Sequence, residues 1–156
     1  GYVDRYFHNR ALAEEIVQEV FLKLHRAKDR YEPSAKFTTW LYTIATRTCL
    51  NELRRHKVAL SEFEEVEHAD GAPRADEIVA LHRLQHEVAA VLAQLPDKQR
   101  AAFNLVRFAG HSYDEAAEIL DVSPSSLKAL VFRATQAMRK GVSSHREPNV
   151  RAQKGA

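Results

Sequence analysis

Residues 112–133 read SYDEAAEILDVSPSSLKALVFR, and nearly every position has a physical reason to stand where it does. Ser112 followed three residues later by Glu115 is a capping box, which predicts a helix start. Tyr113, Ala116, Ala117 and Leu120 give that helix one apolar face, and Asp121, Val122 and Ser123 interrupt it. Ser123 is a fitting N-cap, and Pro124 suits the first helical position, where its missing N–H costs nothing. A second helix therefore follows. Counting from the small Ala117, apolar side chains fall at Leu120, Val122, Leu127 and Leu130, the spacing that packs a DNA-reading helix across its partner. Ser125, Ser126, Lys128, Ala129 and Phe132, with Arg133 at the flank, occupy the remaining face and are the candidates to meet a major groove. Pairs of amphipathic helices joined by a turn also occur in helical proteins that never touch DNA. Asp121 stands where such turns most often carry Gly; Asp tolerates left-handed backbone better than most residues, so the turn survives at some cost.

The 156 residues, 45% of them hydrophobic, suffice for one domain or two small ones. No apolar run is long enough to span a bilayer, and none reads as a signal peptide. A single cysteine rules out an internal disulfide and fits a reducing compartment, so a cytoplasmic protein without membrane insertion is expected. Cys49 lies on an apolar helical stripe, as a packed small hydrophobe rather than a nucleophile. The chain carries no glycine-rich phosphate loop, no metalloprotease helix and no nucleophile set, which argues against an enzyme and against a cofactor. His82 and His86 share a helix face without a third ligand, so no metal site is expected. The first residue is Gly, and the opening GYVDRYFHNRAL reads as the middle of a helical pattern, which suggests an N-terminal truncation.

Charge is distributed in blocks. Residues 1–57 hold eleven Lys/Arg against seven Asp/Glu, 58–76 one against six, 77–140 eight against seven, and the tail is basic again. The run SEFEEVEHADGAPRAD from Ser61 to Asp76 reads as a solvated linker. The expected architecture is all-α: a helical domain over 1–57, an acidic flexible linker over 58–76, a helix-turn-helix domain over 77–142 and a disordered basic tail over 143–156.

In the first domain, Ala13, Ile16, Val17, Val20, Phe21 and Leu24 repeat at helical offsets. The opposite strip, Glu14, Glu15, Gln18, Glu19 and Lys23, reads by pattern alone as a wet surface. Turn formers from Asp29 to Ala35 follow, with Pro33 blocking helix propagation. Leu41, Ile44, Ala45, Cys49 and Leu53 then form a second stripe, with Phe37, Thr38, Thr39, Trp40, Tyr42, Arg47, Arg54, Arg55 and Lys57 around it. Aromatic and hydroxyl groups interleaved with arginines suit single-stranded nucleic acid. Core packing accounts equally for Phe37 and better for Trp40, and Arg54 and Arg55 complement a helix C-terminus without any ligand. A helix over Ile78–Leu95, then Pro96 and a helix through Phe103, Leu105 and Val106, read as scaffold for the helix-turn-helix.

Four strings in order, AEEIVQEVFLKLHRA (13–27), FTTWLYTIATRTCLNELRR (37–55), LAQLPDKQRAAFNLVRFAGHSYDEAAEIL (92–120) and VSPSSLKALVFRATQAMRK (122–140), closely resemble bacterial RNA polymerase sigma factors of the extracytoplasmic-function group. The resemblance implies a transcription initiation factor that binds core RNA polymerase and promoter DNA, with an anti-sigma factor as a further partner. It implies that Glu15, Gln18, Glu19 and Leu22 dock on the polymerase clamp, which reverses the wet-surface reading. It implies that the 29–37 loop helps hold a flipped base. Lys36, Phe37, Thr39, Trp40, Arg47, Asn51, Arg54 and Arg55 would meet the minus-10 element, and Ser125, Ser126, Lys128, Ala129, Phe132 and Arg133 the minus-35 element. It further implies that the acidic linker, through Glu62, Glu64, Glu65 and Glu67, mimics nucleic acid in the RNA exit path.

Three departures stand out. Arg47 occupies a position where the family usually has Asn, so the preferred minus-10 base is expected to differ. Leu130 and Thr135 stand where arginines are common, so weak duplex binding by the isolated domain is expected. The opening helix is largely absent, which would deprive Ile16 and Val20 of packing partners. The competing reading is a polymerase-independent dimeric helix-turn-helix regulator, which explains 112–133 but assigns no work to the first domain.

Overall fold

The computed structural model describes residues 1–34, 36–62 and 76–146, and among them the structure is all-α. A short 3-10 turn (Val3–Arg5) precedes α1 (Arg10–Ala27), whose N-cap Asn9 accepts a hydrogen bond from the Leu12 N–H. A second 3-10 turn (Lys28–Arg30) leads through the Pro33 region to α2 (Phe37–Glu62). Then come α3 (Asp76–Gln94), α4 (Asp97–Phe103), a π-helical turn (Asn104–Phe108), α5 (Tyr113–Leu120) and α6 (Pro124–Arg146). Gly110 takes a positive φ of 76° between the π turn and α5, a conformation that a residue with a side chain rarely adopts.

Two expected boundaries move. α2 continues to Glu62, five residues into the expected linker; Glu64, Glu65 and Glu67 lie outside the described residues. α6 continues to Arg146, past the expected start of the disordered tail. Its continuation is anchored at Gly141, whose missing side chain lets α6 approach α3: a Cβ there would stand 2.6 Å from the Val91 methyls.

The opening residues do pack. Val3, Tyr6 and Phe7 join Ala13, Ile16, Val20 and Leu24 of α1 and Ala45 and Cys49 of α2 in one buried cluster, so Ile16 and Val20 have the partners the sequence reading withheld from them. Ala101 of α4 belongs to the same cluster, and the core thus runs from the first half of the chain into the second. Ala102, Leu105, Ala116, Ala117, Ile119, Leu127 and Val131 form the helix-turn-helix core, and Val91, Leu92, Leu95, Ala134 and Met138 the contact between α3 and α6. On α6 the buried stripe is therefore Leu127, Val131, Ala134 and Met138. Leu130 is only half-buried, because α6 packs against α3 and α4 as well as α5.

Candidate nucleic-acid interface

The helix-turn-helix is built as its residues dictate. Ser112 Oγ accepts from the Glu115 N–H at 3.1 Å while the Glu115 carboxylate accepts from the Ser112 N–H at 3.0 Å, completing the capping box. α5 ends at Asp121 in the left-handed region (φ 53°, ψ 53°), and the Val122 N–H closes the turn on Ala117 O at 3.0 Å. Ser123 Oγ then accepts from the Ser126 N–H at 3.2 Å and caps α6. This geometry leaves Ser125, Ser126, Lys128, Ala129, Phe132 and Arg133 exposed on one side of α6, with Phe132 at 62%. A cleft of about 550 Å³ beside Lys128 and Phe132 also gathers Arg107, Tyr113, Gln136 and Arg139. Sequence reasoning missed these four. Arg107 and Tyr113 reach the cleft from other elements, so no local spacing announces them.

A second cluster stands at the start of α2. The rings of Tyr31, Phe37 and Trp40 pack mutually, with centroids 4.9 Å apart for Tyr31 and Trp40 and 5.8 Å for the other two pairs. Phe37 is exposed and Trp40 half-buried, so the group closes an edge of the core while leaving aromatic surface open to solvent. Farther along α2, Arg47, Asn51, Arg54 and Arg55 are exposed, with Arg55 paired to Glu52 at 3.0 Å. Thr39 departs from expectation: it is 5% exposed and does not face outward with its neighbours. Lys36 is exposed, and its ammonium is paired with Glu115 at 2.6 Å.

On α1, Glu15, Gln18 and Leu22 are exposed and Glu19 is half-buried, bonded to Lys23 at 2.7 Å. Val17 and Phe21, assigned by periodicity to the buried stripe, are exposed, Phe21 at 64%. With Leu22 they place exposed apolar surface beside the acidic and amide residues of the same helix.

The two halves meet across a polar seam. Arg100 of α4, buried, donates through Nη1 to Tyr6 O at 3.2 Å and through Nη2 to Ala93 O. Desolvation holds its pKa below the usual arginine range. The Tyr42 and His111 rings meet edge-on at 4.5 Å, Arg5 lies 3.6 Å over the Phe108 ring, and Lys57 pairs with Asp97 at 2.8 Å. Tyr2 donates or accepts at Tyr6 and Thr46 hydroxyls, and burial pushes both phenols well above their ordinary pKa, so they stay neutral. Cys49, wholly buried, is pushed up to about 12 by the same cause and is no nucleophile. Among the described residues no cluster of His, Cys, Asp or Glu is arranged to hold a metal ion, and no helix is long and apolar enough to cross a membrane.

Comparison with known proteins places each half. The family model for sigma-70 region 2 matches residues 1–58, and that for sigma-70 region 4 matches residues 85–138. The chain is 30% identical over 152 residues to the RNA polymerase sigma-H factor of Pseudomonas aeruginosa, covering 91% of this chain and 79% of that one. It is 30% identical over 140 residues to the ECF RNA polymerase sigma factor SigW of Bacillus subtilis, covering 82% of this chain and 74% of the relative. Its fold resembles the sigma factor RpoE of Bartonella quintana, solved in complex with the anti-sigma factor NepR: the TM-score is 0.75 at 22% identity, over 91% of this chain and 88% of the other.

Proposed function

The chain belongs to the extracytoplasmic-function group of sigma-70-type sigma factors, and we propose from that premise a division of labour among its three exposed faces. As a sigma factor it is a transcription initiation factor, which binds core RNA polymerase, recognises the minus-35 and minus-10 promoter elements and helps melt the promoter. Its relatives are sigma factors rather than enzymes.

The α1 face, Glu15, Gln18, Glu19 and Leu22 extended by Val17 and Phe21, docks on the polymerase. Apolar side chains beside carboxylates and an amide supply buried area together with charge complementarity to a basic partner helix. The α2 face, with Lys36, Phe37, Trp40, Arg47, Asn51, Arg54 and Arg55, captures the melted minus-10 strand. Stacking on aromatic rings and neutralising phosphates draws unpaired bases out of the duplex, so opening is driven by binding energy rather than by hydrolysis. Ser125, Ser126, Lys128, Ala129, Phe132 and Arg133 on α6 meet the minus-35 duplex, with Arg107 and Arg139 adding phosphate contacts. The domain division follows, with residues near 1–58 melting and those near 85–138 reading. An anti-sigma factor is the natural regulator, in line with the NepR complex of the structurally similar RpoE, and the work is done beside the polymerase in the cytoplasm.

The observation that carries this assignment is the pairing, in one chain, of an aromatic platform on α2 with a capped, exposed reading helix on α6. A dimeric regulator would use only the second. The experiment is transcription from a randomised promoter library with core polymerase, with and without the protein. Start sites that require both components and share two spaced elements are expected; a shift of duplex DNA by the protein alone as a dimer, with no new start sites, would overturn the assignment.

A further inference from the structure

We propose that the second half of the chain holds the first in an inactive, closed form, with the Glu115 carboxylate occupying the Lys36 ammonium in place of a minus-10 phosphate. This rests on the sigma-factor assignment above and adds a control to it. The two halves share one continuous seam. Ala101 and Leu120 from the second half pack into the core of the first, and Tyr2 and Tyr42 from the first pack against the core of the helix-turn-helix. Lys36 pairs with Glu115 and Lys57 with Asp97 across its rim, and Arg5 lies over the Phe108 ring. Of the residues assigned to the minus-10 face, the closed form neutralises Lys36, and Thr39 is buried in it.

The closed form cannot serve both promoter elements on one straight duplex. α5 packs on α2 and α6 packs on α5, and packed helices stand about 8–10 Å apart, so the axes of α2 and α6 are about 20 Å apart where they stack. Elements named minus-35 and minus-10 are about 25 base pairs apart, which is about 85 Å of duplex at roughly 3.4 Å per pair. The whole length of α2, 26 residues or about 39 Å, does not make up the difference. Reading both elements therefore requires the seam to part.

The seam is made to part. Among the described residues, the buried side-chain polar atoms left without a hydrogen bond are Arg100 Nε, His111 Nε2 and the amide nitrogen and oxygen of Asn104. All three residues belong to the second half, and all face the first. Arg100 donates through Nη1 to Tyr6 O, His111 meets the Tyr42 ring edge-on, and Asn104 lies beside the Tyr6 phenol without closing a bond to it. Unpaired polar groups oppose their own burial, and water satisfies them once the seam opens. Charge pairs thus hold the rim while unsatisfied groups load the centre, the make-up of a contact that forms and releases rather than of a permanent core.

The test uses the free chain and then its complex with core polymerase. Spin labels on cysteines placed at the exposed His25 of α1 and His86 of α3 report the separation of the halves, and Cys49, wholly buried, stays unlabelled. The wild type should show one short, narrow distance when free and a much longer one on polymerase with promoter. Glu115→Gln keeps the capping box, because Gln also serves at that position, and loses the ion pair with Lys36. It should populate the longer distances in the free chain and bind a single-stranded minus-10 oligonucleotide about two- to fivefold more tightly. His111→Phe keeps a ring against Tyr42 and removes an unpaired nitrogen, so it should sharpen the short distance and weaken that binding about fivefold. Glu118→Gln makes the same change of charge on the exposed surface of α5 and should move neither reading. A free wild type already at the longer distance, a Glu115→Gln variant that matches the wild type in both readings, or a Glu118→Gln variant that gains as much affinity would overturn the proposal. If starts in the promoter library depend on the protein, those results leave the sigma-factor assignment standing. If no start does, the assignment fails whatever the seam is found to do.

Discussion

Lys36 Nζ stands 2.6 Å from Glu115 Oε1, tying the residue before α2 to the cap of the first helix of the helix-turn-helix across 79 residues of chain. The Lys36 bond first, and the Ser112 N–H second, pull the Glu115 carboxyl down to about 2. Such a depressed pKa contributes stability that is fully present above the unfolded value, about 4.3, and is lost as the pH falls through the folded one. The melting temperature of the wild type should therefore exceed that of Glu115→Gln at pH 6, and the two should converge between about pH 4.5 and pH 2. Both groups are solvent-accessible, so the gap should be small and shrink with added salt. A gap that persists unchanged at pH 2 would show that the charge pair is not its source.

Gly141 is a prediction of a different kind, because a glycine inside a helix normally costs stability. Here a Cβ would come within 2.6 Å of both Val91 methyls, in the contact that also buries Leu92, Leu95, Ala134 and Met138. Gly141→Ala should therefore destabilise by about 1–3 kcal/mol despite its better helix propensity. Gly141→Ala combined with Val91→Ala should recover part of that loss by making room. Urea unfolding of the two variants checks both statements; a stabilised single variant would mean that α3 and α6 are not this close.

These two sites also show what the sequence discloses and what it hides. The capping box at Ser112 and Glu115, the Ser123 cap and the exposed face of α6 are legible because each depends on residues three or four apart. Thr39 was not legible: a polar residue among exposed neighbours gives no local sign of being only 5% exposed in the folded chain. Nor were Val17 and Phe21, since an apolar residue at helical spacing looks the same whether it fills a core or waits for a partner. Arg100 was assigned to plain scaffold, and its burial against Tyr6 O appears only once the two halves are in contact. Nor was the run of α6 past residue 142 legible, because the close approach that seats it, Gly141 on Val91, joins residues fifty apart in the chain.

Neighbouring residues on α6 separate folding from reading. Leu127 is wholly buried between α5 and α6, and Leu127→Ala should cost about 2–5 kcal/mol through the cavity it leaves. Lys128 is exposed and has no ion-pair partner among the described residues, so Lys128→Ala should change stability by less than about 0.5 kcal/mol. The same substitution should weaken minus-35 duplex binding evenly across sequences and lower the salt slope by about one. Thermal melting and salt-titrated binding of the polymerase complex measure the two effects separately. A Lys128→Ala variant that binds like the wild type at low and high salt would remove it from the phosphate contacts.

Asp121 tests whether the turn itself is strained. It is the one described non-glycine residue at positive φ, and it holds that conformation so that its own N–H reaches Glu118 O at 3.1 Å and the Val122 N–H reaches Ala117 O at 3.0 Å. Left-handed backbone costs an ordinary L-residue about 1–2 kcal/mol, and Asp somewhat less. Glycine would remove that strain but lose about 0.5–1 kcal/mol to the greater freedom of the unfolded chain. The two effects nearly balance, with the strain slightly larger, so Asp121→Gly should stabilise by about 0.5 kcal/mol or less. Alanine keeps the strain without the local hydrogen bonding open to Asp, and valine adds branching at Cβ. The urea midpoints should therefore fall in the order Gly, Asp, Ala, Val. Because glycine preserves the crossing of α5 and α6, its variant should read the minus-35 element as the wild type does, whereas the valine variant should lose duplex binding along with stability. A glycine variant clearly less stable than the wild type would mean that the Asp121 carboxylate holds the turn rather than merely tolerating it.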